Sequence, residues 1–347
     1  MLVSPLETPG PARGLPVRFQ PAPLPPKPKK NALPEAWNTY KQEKKKCRLT
    51  LVGVAAIHEV RRSLDARPST RQRQLLVSGD GSYTNSPVLK PLPERTTFIG
   101  RIRKDAQLHS LPSPAPSLSK GRRKQYGPAA PTPQQLLQDD SVPFQSVRCY
   151  ATGQTRDFQI KVLRPLLWPK AGADRPLLLV VIKAVGYRLR AGARLLYRQP
   201  AFLICTDPDF DLQQLLQAYI YRWEIECNHR DEKSLLGLAK GQVRNPLAVA
   251  RLPQFQVAGY SLLLLASLLT YGFARTPDYL PLPKWRTKSI RPSLLDLLNL
   301  LRDQLFQHPA DSPLSRLSFD RFVNTPAPVM KPSKLPLASD TLCTVAA

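Results

Sequence analysis

The sequence predicts a mixed α/β fold in which a β-rich stretch precedes a long helix. Three observations carry this reading. Short apolar runs bounded by turn residues, at 75–77 and 98–102, read as strands. From 142 to 204 the pattern is mostly β, with candidate strands at 146–150, 158–163, 177–183 and 201–205. Residues 212–236 then repeat apolar side chains at helical spacing, and further helices follow at 249–271 and 293–306. Strands succeeded by helices suggest an α/β core with a β-rich insertion.

The N-terminal elements follow from local signals. Residues 1–34 are Pro-rich, with one short strand expected at 15–19. Pro34-Glu35-Ala36-Trp37 starts a helix that runs into the basic segment from Lys41 to Arg48. A second helix is expected over 51–64, ending near Pro68. Leu75-Leu76-Val77 has the look of a buried parallel strand, closed by Gly79-Asp80-Gly81. Residues 111–134 are rich in Pro, Ser, Lys and Arg and read as a loop or linker. Beyond Pro326 the chain is again Pro-rich, which predicts a disordered tail.

Composition narrows the partner. The formal net charge of +26 fits a protein that meets a polyanion, most often nucleic acid, although a solvated basic surface is the alternative. Five cysteines without a CxxC pair fit reduced thiols in a cytosolic protein and disfavour a disulfide framework or zinc site. His58, His109, His229 and His308 are scattered and suggest no metal site. Residues 257–274 barely reach spanning length and include Gly259, Gly272 and two tyrosines, so a buried core helix is expected and no membrane partner. The N-terminus shows no signal peptide pattern.

The chemistry concentrates in one stretch. Tyr219, Arg222, Glu226 and Lys233 are separated by three, four and seven residues. On a continuous helix they fall within about sixty degrees of one another, beside a stripe of Leu212, Leu216, Ile220, Trp223 and Cys227 expected to face the core. DNA phosphodiester cleavage uses divalent ions that clamp the attacking and leaving oxygens, and hard Mg²⁺ takes carboxylate ligands. Glu226 suits such a ligand. Arg222 and Lys233 suit flanking phosphates, and the Tyr219 hydroxyl suits a phosphate oxygen. The alternative is a solvated helix face with an Arg222–Glu226 pair worth roughly a few tenths of a kcal/mol.

This Y-x2-R-x3-E-x6-K pattern has an informative setting. Leu203-Ile204-Cys205-Thr206-Asp207 precedes it, and Ser234-Leu235-Leu236-Gly237-Leu238 and Gln242-Val243-Arg244 follow. The whole resembles the DDE transposases of bacterial insertion sequences, in the branch with the Y-R-E-K signature. The resemblance covers most of residues 15–275. It implies a ribonuclease H-like catalytic core with a β-rich insertion at about 142–206, before the catalytic helix. It also implies a bacterial cytoplasmic protein that acts with Mg²⁺ or Mn²⁺ on the DNA ends of an insertion sequence, and it allows a homodimer. Glu226 then takes the place of the third catalytic carboxylate, with Tyr219, Arg222 and Lys233 as DNA phosphate contacts. The stretch from Leu75 through Gly79-Asp80-Gly81-Ser82-Tyr83-Thr84-Asn85 matches the family's second carboxylate, so Asp80 joins Glu226 as a catalytic and metal-binding residue. An ordinary Gly-Asp-Gly turn is the competing reading of Asp80.

The first Asp of the triad has no counterpart. Residues 1–64 contain no Asp, and their acids are Glu7, Glu35, Glu43 and Glu59. The expectation is an N-terminally truncated, catalytically impaired transposase with an incomplete core. Its organisation would be a Pro-rich segment at 1–34, a partial core at 35–275, and a C-terminal helical segment with a Pro-rich tail at 276–347. The competing functions are a non-catalytic basic DNA-binding protein, using the runs 41–48 and 120–124, and a relic reading frame with no folded function.

Overall fold

The computed structural model describes residues 2–3, 10–22, 24–113, 124–172, 175–188, 192–282 and 291–307. The expectations for the tail beyond Pro326, for Cys343 and His308, and for most of the basic run 120–124 lie outside these residues. The elements in chain order are β1 (Leu2–Val3), β2 (Arg13–Gly14), α1 (Pro34–Lys46), α2 (Leu49–Asp65), β3 (Leu75–Gly79), α3 (Ser86–Leu89), β4 (Thr96–Arg101) and β5 (His109–Ser110). Then come α4 (Pro133–Gln138), β6 (Gln145–Ala151), β7 (Gln154–Leu167), β8 (Leu177–Ile182), β9 (Gly186–Tyr187), β10 (Leu196–Tyr197) and β11 (Ala201–Cys205). The last four are α5 (Leu212–Tyr221), α6 (Glu224–Ser234), α7 (Pro246–Tyr271) and α8 (Leu294–Gln307). The chain divides into two compact units, one of residues 22–151 and 155–222, the other of 1–21, 152–154 and 223–347.

The first unit is built on a seven-stranded mixed sheet in the order β3-β4-β11-β8-β7-β5, with β6 on β7. β3 and β4 run parallel, and β11 lies antiparallel between β4 and β8. The β-rich stretch expected at 142–206 therefore continues the sheet that carries β3 and β4. β8 shows why its sequence is uniformly apolar. Leu177, Leu179 and Val181 enter one core with Phe98, Phe202 and Ile204, while Leu178 and Val180 enter another with Ile99, Leu203 and Leu215. Side chains alternate along a strand, so burial of both faces requires an unbroken apolar run.

Helices cover the two faces. Val54 and Ile57 of α2 and Leu136 of α4 pack on the first core, and Leu215 and Leu216 of α5 complete the second. α4 opens with a capping box, in which Thr132 accepts from the Gln135 N–H and the Gln135 side chain accepts in return from the Thr132 N–H. α2 is tied down by Arg61, only 3% exposed, which donates to the carbonyls of Arg71 and Arg73 and to the Asp65 carboxylate. Its two terminal nitrogens are thus satisfied by carbonyls and a carboxylate, which offsets the burial of the charge, while the buried Nε makes no hydrogen bond. β3 departs from the expected buried strand. It occupies the end of the sheet, and Leu76 is exposed. Side chains alternate along the strand, so Val77 packs on the first core while Leu76 points to the opposite face and belongs to neither core.

The second unit is helical. Leu15, Tyr260, Leu263, Leu264, Tyr279, Leu294 and Leu297 form its core. α7 starts on Asn245, whose side chain accepts from the N–H groups of Leu247 and Ala248, with Pro246 at the first position. It stops at Gly272, where φ is 72°. By length and composition α7 is apolar enough to cross a membrane, yet Tyr260, Leu263 and Leu264 serve this core. The expected strand at 15–19 is absent. β2 sits at Arg13–Gly14 instead, and Leu15 is drawn into the helical core, so tertiary packing overrides strand propensity.

That N-terminal segment is held by a buried polar network. Asn228 of α6 donates to the Gly14 carbonyl at 2.9 Å and accepts from the Tyr260 hydroxyl at 3.0 Å. Arg13 donates to the Pro292 carbonyl at 2.7 Å, and burial with the nearby Arg291 charge pulls it down to about 10. Arg291 pairs with Glu224 at 2.8 Å. Asn228→Ala removes two bonds and leaves the Gly14 carbonyl and Tyr260 hydroxyl unmet, so it is predicted to cost about 2–3 kcal/mol, against about 1 kcal/mol for Tyr260→Phe. Urea unfolding of both variants measures this, and equal costs would contradict the ranking.

Candidate active site

Asp80 follows the last residue of β3 and is set by the way that strand meets β4. Gly79 lies opposite Gly100 in the parallel register. A Cβ on Gly79 would stand 2.8 Å from the Phe98 ring, and one on Gly100 would collide with the Thr84 hydroxyl and the same ring. Two glycines thus let the 80–84 loop close onto β4. Thr84 then donates to the Asp80 carbonyl at 2.9 Å. Asp80 Oδ1 accepts from the Ser82 hydroxyl at 2.6 Å, the Ser82 N–H at 2.8 Å and the Tyr83 N–H at 3.3 Å. This is an Asx turn, which fixes one carboxylate oxygen; the described hydrogen bonds engage Oδ1 and not Oδ2, on a residue that is exposed. Partial burial alone would raise the carboxyl pKa. The bonds from Ser82 and Tyr83, together with the Arg222 charge, outweigh it and hold Asp80 below the ordinary carboxylate range.

Arg222 arrives from α5. Asp211 caps that helix by accepting from the Gln214 N–H, and Leu215 and Leu216 seat it on the sheet. Arg222 ends α5, with its guanidinium 5.6 Å from the centre of the Tyr219 ring. Asp80, Tyr219 and Arg222 therefore belong to one compact unit, and the charge of Arg222 acts on Asp80. Glu226 and Lys233 lie on α6 in the other unit.

The single helix expected over 212–236 is two helices. α5 ends at Tyr221 and α6 begins at Glu224. Between them the Arg222 N–H donates to the Tyr219 carbonyl and the Glu226 N–H to the Trp223 carbonyl, both tight three-residue bonds. The four signature residues are thus not on one continuous helical arc. Trp223, expected to face the core, is 63% exposed. The cause is tertiary. The Glu224 carboxylate is engaged by Arg291 and by the Gly14 N–H, which anchors the start of α6, and no helix-breaking residue announces this in the sequence.

Sequence reasoning passed over two residues of this region. Ser82 shapes the Asp80 turn, and its signal was the Asp-Gly-Ser-Tyr order itself. Glu232 on α6 is 3% exposed, its carboxyl raised by burial despite His229 at 3.2 Å. Nothing in a run of charged residues distinguishes that one as buried. Among the described residues, no three His, Cys, Asp or Glu side chains are gathered as a metal cage. A hard divalent ion nevertheless needs only one or two carboxylates when water and phosphate complete its shell. Asp80, exposed, held below the ordinary carboxylate range and bonded through Oδ1 only among the described hydrogen bonds, fits such a ligand.

A strand-end carboxylate beside a cation is suited to hard cations and phosphate oxygens. Comparison with known families agrees with that class. The family model described as transposase DDE domain matches residues 51–252, more than half of the chain, a span that includes Asp80, Tyr219, Arg222, Glu226 and Lys233. The chain belongs to the transposase DDE domain family. No curated protein matches it.

Arg222→Met is predicted to raise the Asp80 carboxyl pKa, because the removed positive charge favoured the ionised form. Carbon-detected NMR titration of the Asp80 carboxyl reads the shift. An unchanged value would separate the two residues electrostatically.

Proposed function

We propose that this protein acts on DNA as a cut-and-paste transposase of an insertion sequence, in the Y-R-E-K branch, with a ribonuclease H-like core. Asp80 and Glu226 are the second and third carboxylates of its triad, and both are metal ligands. The observation that carries this reading is the turn at Asp80, whose carboxylate feels the charge of Arg222, a signature residue far away in sequence. Membership of the transposase DDE domain family supports it.

The residues divide the work. Asp80 Oδ1 is committed to the turn, so Oδ2 is the ligand oxygen. The side chain stays ionised into mildly acid solution because its pKa is depressed. Arg222 offers a planar fork to a phosphate, Tyr219 donates its hydroxyl, and Lys233, exposed on α6, supplies a point charge. A bound Mg²⁺ or Mn²⁺ would supply charge stabilisation to the scissile phosphate.

The chain by itself is impaired in this reading. Two carboxylates position a cation less firmly than three, and small misplacements of reacting groups cost rate steeply. The second reading is a non-catalytic basic DNA binder, favoured by the lysine-rich helix α1, which buries none of its residues.

The test is nicking of a supercoiled plasmid with Mn²⁺. The prediction is slow nicking that Asp80→Ala and Glu226→Ala each reduce at least tenfold while DNA binding persists. Binding without metal-dependent nicking would favour the second reading. Nicking untouched by both substitutions would overturn the assignment, and fast strand transfer abolished by Glu226→Ala would overturn the impairment alone.

A further inference from the structure

α1 is unusual among the helices of the first unit because it buries none of its residues. Its composition explains how it persists. Pro34 and Glu35 suit the N-terminal turn, and Lys44, Lys45 and Lys46 suit the C-terminal end of the helix dipole. At 100° per residue, Trp37, Tyr40, Lys41, Lys44 and Lys45 share one side, spanning about 140°, and Glu35 and Glu43 fall outside it. The rings are already cation-bound, with Lys27 5.9 Å from the Trp37 ring and Lys44 5.7 Å from the Tyr40 ring.

Beside this face lies a groove of about 480 Å³ between the Pro-rich segment and the α1–α2 junction. Lys41, Lys44, Lys45 and Arg48 line it, no acid does, and none of the four enters a described ion pair. Its floor is apolar. Leu24 and Leu49 are 63% and 62% exposed within this cationic rim. The groove thus sets apolar surface and four cations side by side. A partner with anionic groups and an apolar face covers both features at once.

We propose that this groove binds a single-stranded nucleic-acid segment, with phosphates on Lys41, Lys44, Lys45 and Arg48 and an unstacked base against Leu24 and Leu49. Duplex DNA presents phosphates but keeps its bases stacked, so it cannot cover the floor. Single strands expose both, and such sites combine a cationic track with faces that receive bases. An anionic membrane shares the charge chemistry, but it presents a broad flat surface, whereas these residues line a concave groove. Neither Asp80 nor Glu226 lines the groove, and it needs no metal.

The experiment uses the full chain in EDTA. Fluorescence anisotropy with a labelled oligothymidylate measures affinity for wild type and for the triple variant Lys41→Gln, Lys44→Gln, Lys45→Gln. α1 buries nothing, so the variant is expected to melt with wild type; circular dichroism checks this. The proposal predicts at least tenfold weaker binding in the variant and a salt slope shallower by about 2, since each single-strand phosphate contact contributes about 0.7. It also predicts tighter binding of the oligothymidylate than of a duplex of equal length. Leu24→Glu should weaken the single strand more than the duplex. Cys47 lines the same groove, so the oligonucleotide should slow its alkylation by N-ethylmaleimide, mapped by peptide mass. Equal affinity of wild type and triple variant would overturn the proposal. So would a preference for duplex, or for phosphatidylserine vesicles over the oligonucleotide.

Discussion

The close approach of β3 to β4 is the constraint on which the rest of the candidate site depends. Two facing glycines, Gly79 and Gly100, leave room for the Phe98 ring and the Thr84 hydroxyl where side chains would otherwise stand. Because the loop can close, the Asp80 backbone carbonyl is reached by Thr84 and its carboxylate folds into a turn with Ser82 and Tyr83. An ordinary side chain at either glycine would lift the loop. The carboxylate would lose its fixed oxygen and its relation to the Arg222 charge. The chemistry proposed for Asp80 is thus a consequence of backbone packing one residue and one strand away.

β11 provides the second support. It lies between β4 and β8, so the order of the sheet brings the end of the β-rich stretch back against β4 before α5 departs. The Thr206 hydroxyl accepts from the Phe98 N–H at 2.8 Å, closing the end of that pairing on the residue whose ring packs against both glycines. α5 then crosses the sheet with Leu215 and Leu216 buried, and it delivers Arg222 at its end. Family membership rests on the sequence match over 51–252, while the local logic of the Asp80 turn can be followed atom by atom without it.

Much of this was legible in the sequence. The strand 201–205 coincides with β11, and the runs at 98–102 and 177–183 fall on β4 and β8. Apolar runs bounded by breakers suffice when a strand is buried on both faces. β3 was legible as a strand but not as an edge strand, because its three apolar residues look the same in either place. The long helix misled for a different reason. Residues 212–236 keep helical periodicity throughout, yet Glu224 is engaged by groups distant in sequence, Gly14 and Arg291, and α6 starts anew there. Likewise, residues 15–19 have strand-like composition, but Leu15 gains more by entering the helical core. What periodicity cannot show is which side chain a remote segment will claim.

The central claim is that Asp80 and Glu226 are metal ligands on a DNA-acting site. Mn²⁺ titration followed by water-proton relaxation, with wild type, Asp80→Asn and Glu226→Gln, tests it most directly. The account predicts weak but saturable Mn²⁺ binding in wild type, with affinity at least fivefold lower in each variant and no change in thermal unfolding. Mn²⁺ affinity that is the same in all three proteins would contradict it.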